Sequence, residues 1–158
     1  MLIANGYHAS IVAAAGNDSA EAGGSPLPSQ VPAAYDVVVG VEAGNQTPQR
    51  SCYSNEGDLR APGGDGDSGD AGACVPAHTT CDTDSGDCPF GVISYAMVAT
   101  QGFAYWVGSS FATPLVSGLA ADAIATGGMP RPADVQSALL CAAGGGVVDA
   151  VLAVDGCP

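Results

Sequence analysis

The chain has no lysine, and Arg50, Arg60 and Arg131 are its only basic side chains. Against 16 acidic residues this leaves a formal net charge of −13 over 158 residues. Nucleic acid and anionic membrane surfaces call for a basic face, so the balance argues against both as partners. Cations suit such a surface better, the plain alternative being solubility at high salt. Aromatic residues are scarce at 6%, and the 47% apolar fraction is dominated by small side chains. That mixture fits closely packed helix-on-sheet layers in one domain rather than a disordered chain. No apolar run reaches membrane-spanning length, and Met1-Leu2-Ile3-Ala4-Asn5-Gly6 has no basic segment ahead of an apolar core, so no export signal is legible.

Six cysteines are present, Cys52, Cys74, Cys81, Cys88, Cys141 and Cys157. An even count without zinc-ligand spacing reads as a disulfide framework from an oxidising compartment. The evenly spaced Cys74, Cys81 and Cys88 would staple the segment around them. Three cysteines there need a partner outside it, with Cys52 the nearest, while Cys141 and Cys157 would close the C-terminal end. Pairing is not fixed by sequence.

The same segment repeats one acidic pattern, Asp65-Gly66-Asp67-Ser68-Gly69-Asp70 and Asp82-Thr83-Asp84-Ser85-Gly86-Asp87. Alternating Asp with a Gly for the turn gathers hard oxygen ligands, so Asp65, Asp67, Asp70, Asp82, Asp84 and Asp87 form a candidate Ca2+ set with a structural role. Neither copy completes an EF-hand, and a solvated acidic loop is the other reading. Residues 66–70 also approach the GDSGG block of chymotrypsin-like proteases. The last Gly is Asp70, however, and the alternating strands of a double barrel are missing.

In chain order, residues 9–15 read as a short apolar strand of a parallel sheet, stopped by Gly16-Asn17-Asp18. Residues 18–30 are a surface loop. Residues 31–35 lead into a second apolar strand over 37–41. Residues 92–107 return to apolar and aromatic side chains and predict one or two strands. A helix follows through the apolar run 115–124, ended by Thr126-Gly127-Gly128. Pro132 opens another helix over 133–143.

Between these elements stands Gly108-Ser109-Ser110-Phe111-Ala112-Thr113-Pro114. A serine at a helix's start lies beside unpaired N–H groups and the positive end of the helix dipole, a good seat for a nucleophile. Pro114 is expected in the first turn, where a missing donor costs nothing. Asn17, at a strand's C-terminal end, points toward the crevice where ligands bind in α/β sheets, unless it merely caps a turn.

The block GSSFATPLVSGLAA resembles the nucleophile segment of subtilisin-like (S8) serine proteases, with Ser109 in place of the usual Thr. VAAAGND, ending at Asp18, resembles the family's oxyanion block. Val31 to Val41, Ser54-Asn55, Arg60-Ala61-Pro62-Gly63 and the GGGVVDAVLAV run near the end resemble scaffold segments that follow in the same order. The resemblance implies an α/β, three-layer parallel-sheet fold with an acidic insertion at about 64–92. It makes Ser110 the nucleophile and Asn17 the second oxyanion donor beside the Ser110 N–H. Ala14, Ala15, Gly16 and Ser109 become substrate-binding residues, the first three lining one wall of the pocket for the side chain before the cleaved bond. The substrate is a polypeptide, and the chemistry requires no cofactor.

The family's Asp block and its H-G-T-H block are absent, and neither His8 nor His78 has the matching context. A serine without its general base loses most of its rate. The expectation is the C-terminal portion of an extracellular or periplasmic protease, nearly inactive alone and completed by an N-terminal remainder carrying the early strands, Asp and His. A non-catalytic Ca2+-binding or structural module on the same scaffold is the alternative. An α/β-hydrolase fails because no His follows Ser110. A sedolisin-type enzyme fails because it would carry Asp where Asn17 stands.

Overall fold

The computed structural model describes residues 9–45, 47, 49–64, 81–82, 91–95, 102–129, 131–144 and 146–147. Strands β1 (Val12–Ala14), β2 (Val39–Gly44) and β3 (Leu59–Pro62) form a parallel sheet in the order β1-β2-β3. Its register sets Val12 against Val39 and Val41 against Leu59. Strands β4 (Cys81–Asp82), β5 (Val92–Tyr95) and β6 (Phe103–Trp106) form a separate antiparallel sheet with β6 in the middle. Helices α1 (Ser109–Gly127) and α2 (Pro132–Ala143), with a 3-10 turn over Asp18–Ala20, complete the described elements.

Strand periodicity explains the core. Val39 and Val41 project to one side of β2, and Leu59 and Ala61 to the same side of β3. They meet Ala112, Val116 and Ala120 of α1 and Val135, Leu139, Ala142 and Ala143 of α2 in a single buried cluster. Both helices therefore cover the same sheet face. Small side chains let the layers approach closely, as the composition foretold. Three layers were expected, and among the described residues the helices make one layer on one face.

The opposite face carries an ion pair. Glu42, 7% exposed on β2, meets Arg60 of β3 at 2.5 Å and also accepts the Gly57 N–H at 3.1 Å. Loop 51–58 closes over this side. The Ser54 hydroxyl accepts the Ala43 N–H at 2.8 Å, and the Asp58 carboxylate accepts the Gly40 N–H at 2.7 Å.

Several boundaries moved. The first strand, expected over 9–15, is Val12–Ala14 and only half-buried. The second, expected over 37–41, runs Val39–Gly44, because the Val38 N–H turns back to the Tyr35 carbonyl and delays the extended run. Strand β3 was not anticipated: Leu59-Arg60-Ala61-Pro62 is short and interrupted by a charge. Pro114 is the sixth residue of α1 rather than a first-turn residue. Lacking an N–H, it leaves the Ser110 carbonyl without its usual helical donor. Both helices end at glycines in the left-handed region, Gly128 at φ 63° and Gly144 at φ 53°.

Cys52 and Cys141 are disulfide-bonded. Pairing of the six cysteines rests on residues outside those described, as does most of the C-terminal GGGVVDAVLAV run. No described helix is long and apolar enough to cross a membrane.

Candidate active site

The site is assembled where β1 ends and α1 begins. Gly16 follows β1 at φ 115°, and a Cβ there would stand 2.7 Å from the Asn55 side-chain nitrogen, so the turn demands glycine. Gly108 precedes α1 at φ 145° and is anchored by its N–H to the Gly63 carbonyl at 2.8 Å. The end of β3 thereby fixes the start of the helix. Tyr53 and Ser51 brace that same end, the Tyr53 hydroxyl lying 2.8 and 2.7 Å from the Gly63 and Gly64 carbonyls and the Ser51 hydroxyl 2.8 Å from Gly64.

Ser109 joins the two parts. Its N–H donates to the Asn17 side-chain oxygen at 2.9 Å. Its hydroxyl lies 3.0 Å from the same oxygen and 3.2 Å from the Gly16 carbonyl, and accepts the Gly16 N–H at 3.2 Å. Asn17 and Ser110, distant in sequence, are thus drawn to one place. Because the Asn17 carboxamide spends its oxygen on Ser109, its NH2 end is the part left to face outward. Among the described residues nothing accepts a hydrogen bond from that NH2 group or from the Ser110 N–H. Two open donors therefore sit beside an exposed serine hydroxyl. Such a set can hold a negative oxygen formed at a carbon that the hydroxyl attacks.

The turn-cap reading of Asn17 fails on geometry. A 3-10 turn, Asp18–Ala20, does follow it, but Asn17 makes no side-chain cap bond there. Asn55 does that work, its side-chain oxygen accepting the Asp18 and Ser19 N–H groups at 3.0 Å each and the Ser19 hydroxyl at 3.1 Å. Asn55 is 1% exposed and also donates to the Pro28 carbonyl at 3.2 Å. Residues 18–30, expected as a plain surface loop, are held by this buried amide.

Burial separates the expected substrate-binding residues. Ser109 is 0% exposed, with its N–H and hydroxyl both engaged internally. Ala15 is also 0% exposed, with its N–H on the Val41 carbonyl and its own carbonyl taken by the Gln30 N–H, each at 2.9 Å. Ala14 and Gly16 remain half-exposed next to the site.

Sequence reading also missed an aromatic neighbour. Phe111, the residue after Ser110, stacks on Trp106 with ring centroids 5.1 Å apart, and the buried Trp106 indole N–H has no acceptor among the described residues. The aromatic run at the end of β6 was visible; its partner across the Gly108 turn was not.

His8, His78, Asp65, Asp67, Asp70, Asp84 and Asp87 lie outside the described residues, and of Asp82 only the backbone, in β4, is described. Among the described residues no group of His, Cys, Asp or Glu has metal-binding geometry.

Comparison with known proteins agrees with this architecture. The Subtilase (Peptidase S8) family model matches residues 2–156. A sequence search of curated proteins gives no match. Among solved structures, a protease from Pseudoalteromonas arctica aligns with TM-score 0.69 and 26% identity, covering 96% of this chain and 44% of that one. The nisin leader peptidase NisP of Lactococcus lactis aligns with TM-score 0.69 and 21% identity, covering 98% and 48%. The prenylagaramide maturation protease PagA aligns with TM-score 0.67 and 22% identity, covering 97% and 52%. The chain spans about half the length of these structures.

Proposed function

From the premise that this chain belongs to the subtilase family, we propose that it carries the nucleophile and oxyanion half of a serine endopeptidase site acting on polypeptides. The observation that carries the proposal is the Ser109 clasp, which turns the Asn17 amide outward beside the unpaired Ser110 N–H.

In this reading Ser110 Oγ bonds to the scissile carbonyl carbon as its proton passes to a histidine. The carbonyl electron pair moves onto oxygen, where Asn17 Nδ2 and the Ser110 N–H receive it. Collapse expels the amine with the proton from the histidine, and water repeats the sequence on the acyl group. Histidine and its aspartate come from the part of a subtilase domain that this chain does not correspond to. Without them only the oxyanion term and binding remain, so the chain by itself is a poor catalyst. The disulfide-bonded Cys52 and Cys141 support work in an oxidising extracellular or periplasmic space.

The test is a fusion of this chain behind the part of the Pseudoalteromonas arctica protease domain that it does not match. A fluorophosphonate probe should label Ser110 in the folded fusion and fail on Ser110→Ala, read by peptide mapping. Asn17→Ala should lower kcat for peptide hydrolysis by about 10²- to 10³-fold, a magnitude measured for the equivalent subtilisin donor. A folded fusion that leaves Ser110 unlabelled overturns the proposal.

A further inference from the structure

We propose that Tyr53 is a positioning residue of the candidate active site, its buried phenol setting the direction of the Ser110 N–H through the Gly63 carbonyl. The proposal deepens the reading of Ser110 and Asn17 as nucleophile and oxyanion donor, and rests on it for what that N–H does.

Tyr53 is 1% exposed and the bulkiest fully buried side chain among the described residues. A phenylalanine would fill nearly the same space without a hydroxyl, a group whose burial costs free energy unless it is hydrogen-bonded. Here the hydroxyl is set between two backbone carbonyls, 2.8 Å from that of Gly63 and 2.7 Å from that of Gly64. It has one proton to give. The Ser51 hydroxyl also donates to the Gly64 carbonyl at 2.8 Å, so Gly64 keeps a donor when the phenol proton goes to Gly63.

Gly63 is the point where four segments meet. It directly follows β3, and its N–H donates to the carbonyl of Gly44, the last residue of β2, at 3.0 Å. Its carbonyl accepts the Gly108 N–H at 2.8 Å ahead of α1, and Tyr53 reaches the same oxygen from loop 51–58. A Cβ on Gly63 would stand 2.9 Å from the Gly108 carbonyl oxygen and 2.5 Å from the Ala43 Cβ, so backbone meets backbone with no room for a side chain between. The direction of the Gly63 carbonyl therefore decides where the Gly108 peptide lies. The phenol O–H and the Gly108 N–H together occupy both lone pairs of that oxygen.

From Gly108 the effect passes to Ser110 through planar peptide units. Ser109, between them, is held by its N–H on the Asn17 oxygen at 2.9 Å. Gly108, at φ 145°, has the torsional freedom of a glycine, so the tie on its N–H is what keeps the start of the turn from relaxing. An oxyanion donor works by being aimed before charge develops, and a small misplacement costs rate rather than substrate binding.

Tyr53→Phe keeps the ring and removes the hydroxyl. Val135→Ala, at a 1% exposed position in α2, lowers stability from the buried cluster and serves as control. In the full chain, amide exchange at Gly108 should quicken by about fivefold to tenfold more than at Val116 in Tyr53→Phe, and equally at both in Val135→Ala. In the active fusion, Tyr53→Phe should lower kcat by about fivefold to tenfold with KM little changed, while Val135→Ala leaves both unchanged well below its Tm. Site-specific 3-fluorotyrosine at position 53 retains the O–H and should restore the rate. Equal quickening at Gly108 and Val116 in Tyr53→Phe, an unchanged kcat, or no rescue by fluorotyrosine overturns the inference. A parent fusion whose Ser110 stays unlabelled overturns the proposed function instead, and the exchange measurement on the unfused chain still decides whether Tyr53 holds the turn.

Discussion

Asn17 cannot orient itself. It is exposed, it caps nothing, and its amide has a defined direction only because Ser109 holds the oxygen. The Ser109 hydroxyl has one proton, which serves either Asn17 or the Gly16 carbonyl, while its lone pair takes the Gly16 N–H. Ser109→Ala removes the second tie on Asn17 and orphans the Gly16 N–H, although the backbone tie from the Ser109 N–H survives. A net hydrogen bond of about 1 kcal/mol converts to roughly a fivefold to tenfold fall in kcat in the active fusion, with KM little changed. Ser109→Thr keeps the hydroxyl and should restore most of the rate. A parallel fall in kcat and KM, or no rescue by Thr, would mean that Ser109 does not act through the oxyanion donor.

At the scale of elements, strand β2 carries one charged residue, Glu42, and the structure answers it with Arg60 from the neighbouring strand. The stem of Arg60 lies across Gly44, where a Cβ would come within 2.9 Å of the Arg60 side chain. Glu42→Ala would remove the carboxylate that faces the mostly buried Arg60 guanidinium, and breaking a buried pair costs about 3 kcal/mol in comparable settings. The denaturant midpoint of the folded chain should fall accordingly. Helix α2 offers a milder case. Asp134 stands in its first turn, hydrogen-bonded to Arg131 through two 2.7 Å contacts, and the Arg131 side chain holds its carboxyl below the usual carboxylate value. A lowered folded-state pKa stabilises the fold above the unfolded carboxylate value and is lost as pH falls through the folded one. Asp134→Asn should therefore lower the Tm slightly at pH 7, with the difference from wild type vanishing in acid. The helix N-terminal dipole adds to the effect in the same direction.

Legibility in the sequence followed from what sequence pattern can encode. Helices α1 and α2 were readable because glycines at 128 and 144 and a proline at 132 mark ends by backbone geometry alone. Strand β3 was not, since four residues with a buried arginine show no alternation, and its existence depends on β2 beside it. Ser110 and Asn17 could be named from motif. The means of joining them could not: the clasp spans residues 17 and 109, and no local pattern reports a contact of that separation. Asn55 was seen as scaffold, but its role in tying down the 18–28 loop depends on a third segment meeting the first.

Charge is a property of the whole molecule. The formal net charge is −13, and each of the three cations is already committed: Arg60 to Glu42, Arg131 to Asp134, and Arg50 to the carbonyls of Ser51, Ser54 and Gly24. Three cations against 16 carboxylates leave the folded state with a self-repulsion that an expanded chain reduces. Screening should therefore stabilise the fold. With the Debye length falling from roughly 30 Å at 0.01 M salt to about 3 Å at 1 M, distant repulsions vanish while the partly buried Glu42–Arg60 pair keeps most of its attraction. A gain of about 1 kcal/mol corresponds to a Tm rise of roughly 2–4 °C for a chain of this size. Sodium chloride and choline chloride at equal ionic strength should give equal rises, because screening is indifferent to the cation. A Tm that falls with salt would show that attraction outweighs repulsion across the surface. A rise specific to a divalent cation at millimolar concentration would instead mark a binding site among the aspartates of the acidic repeats.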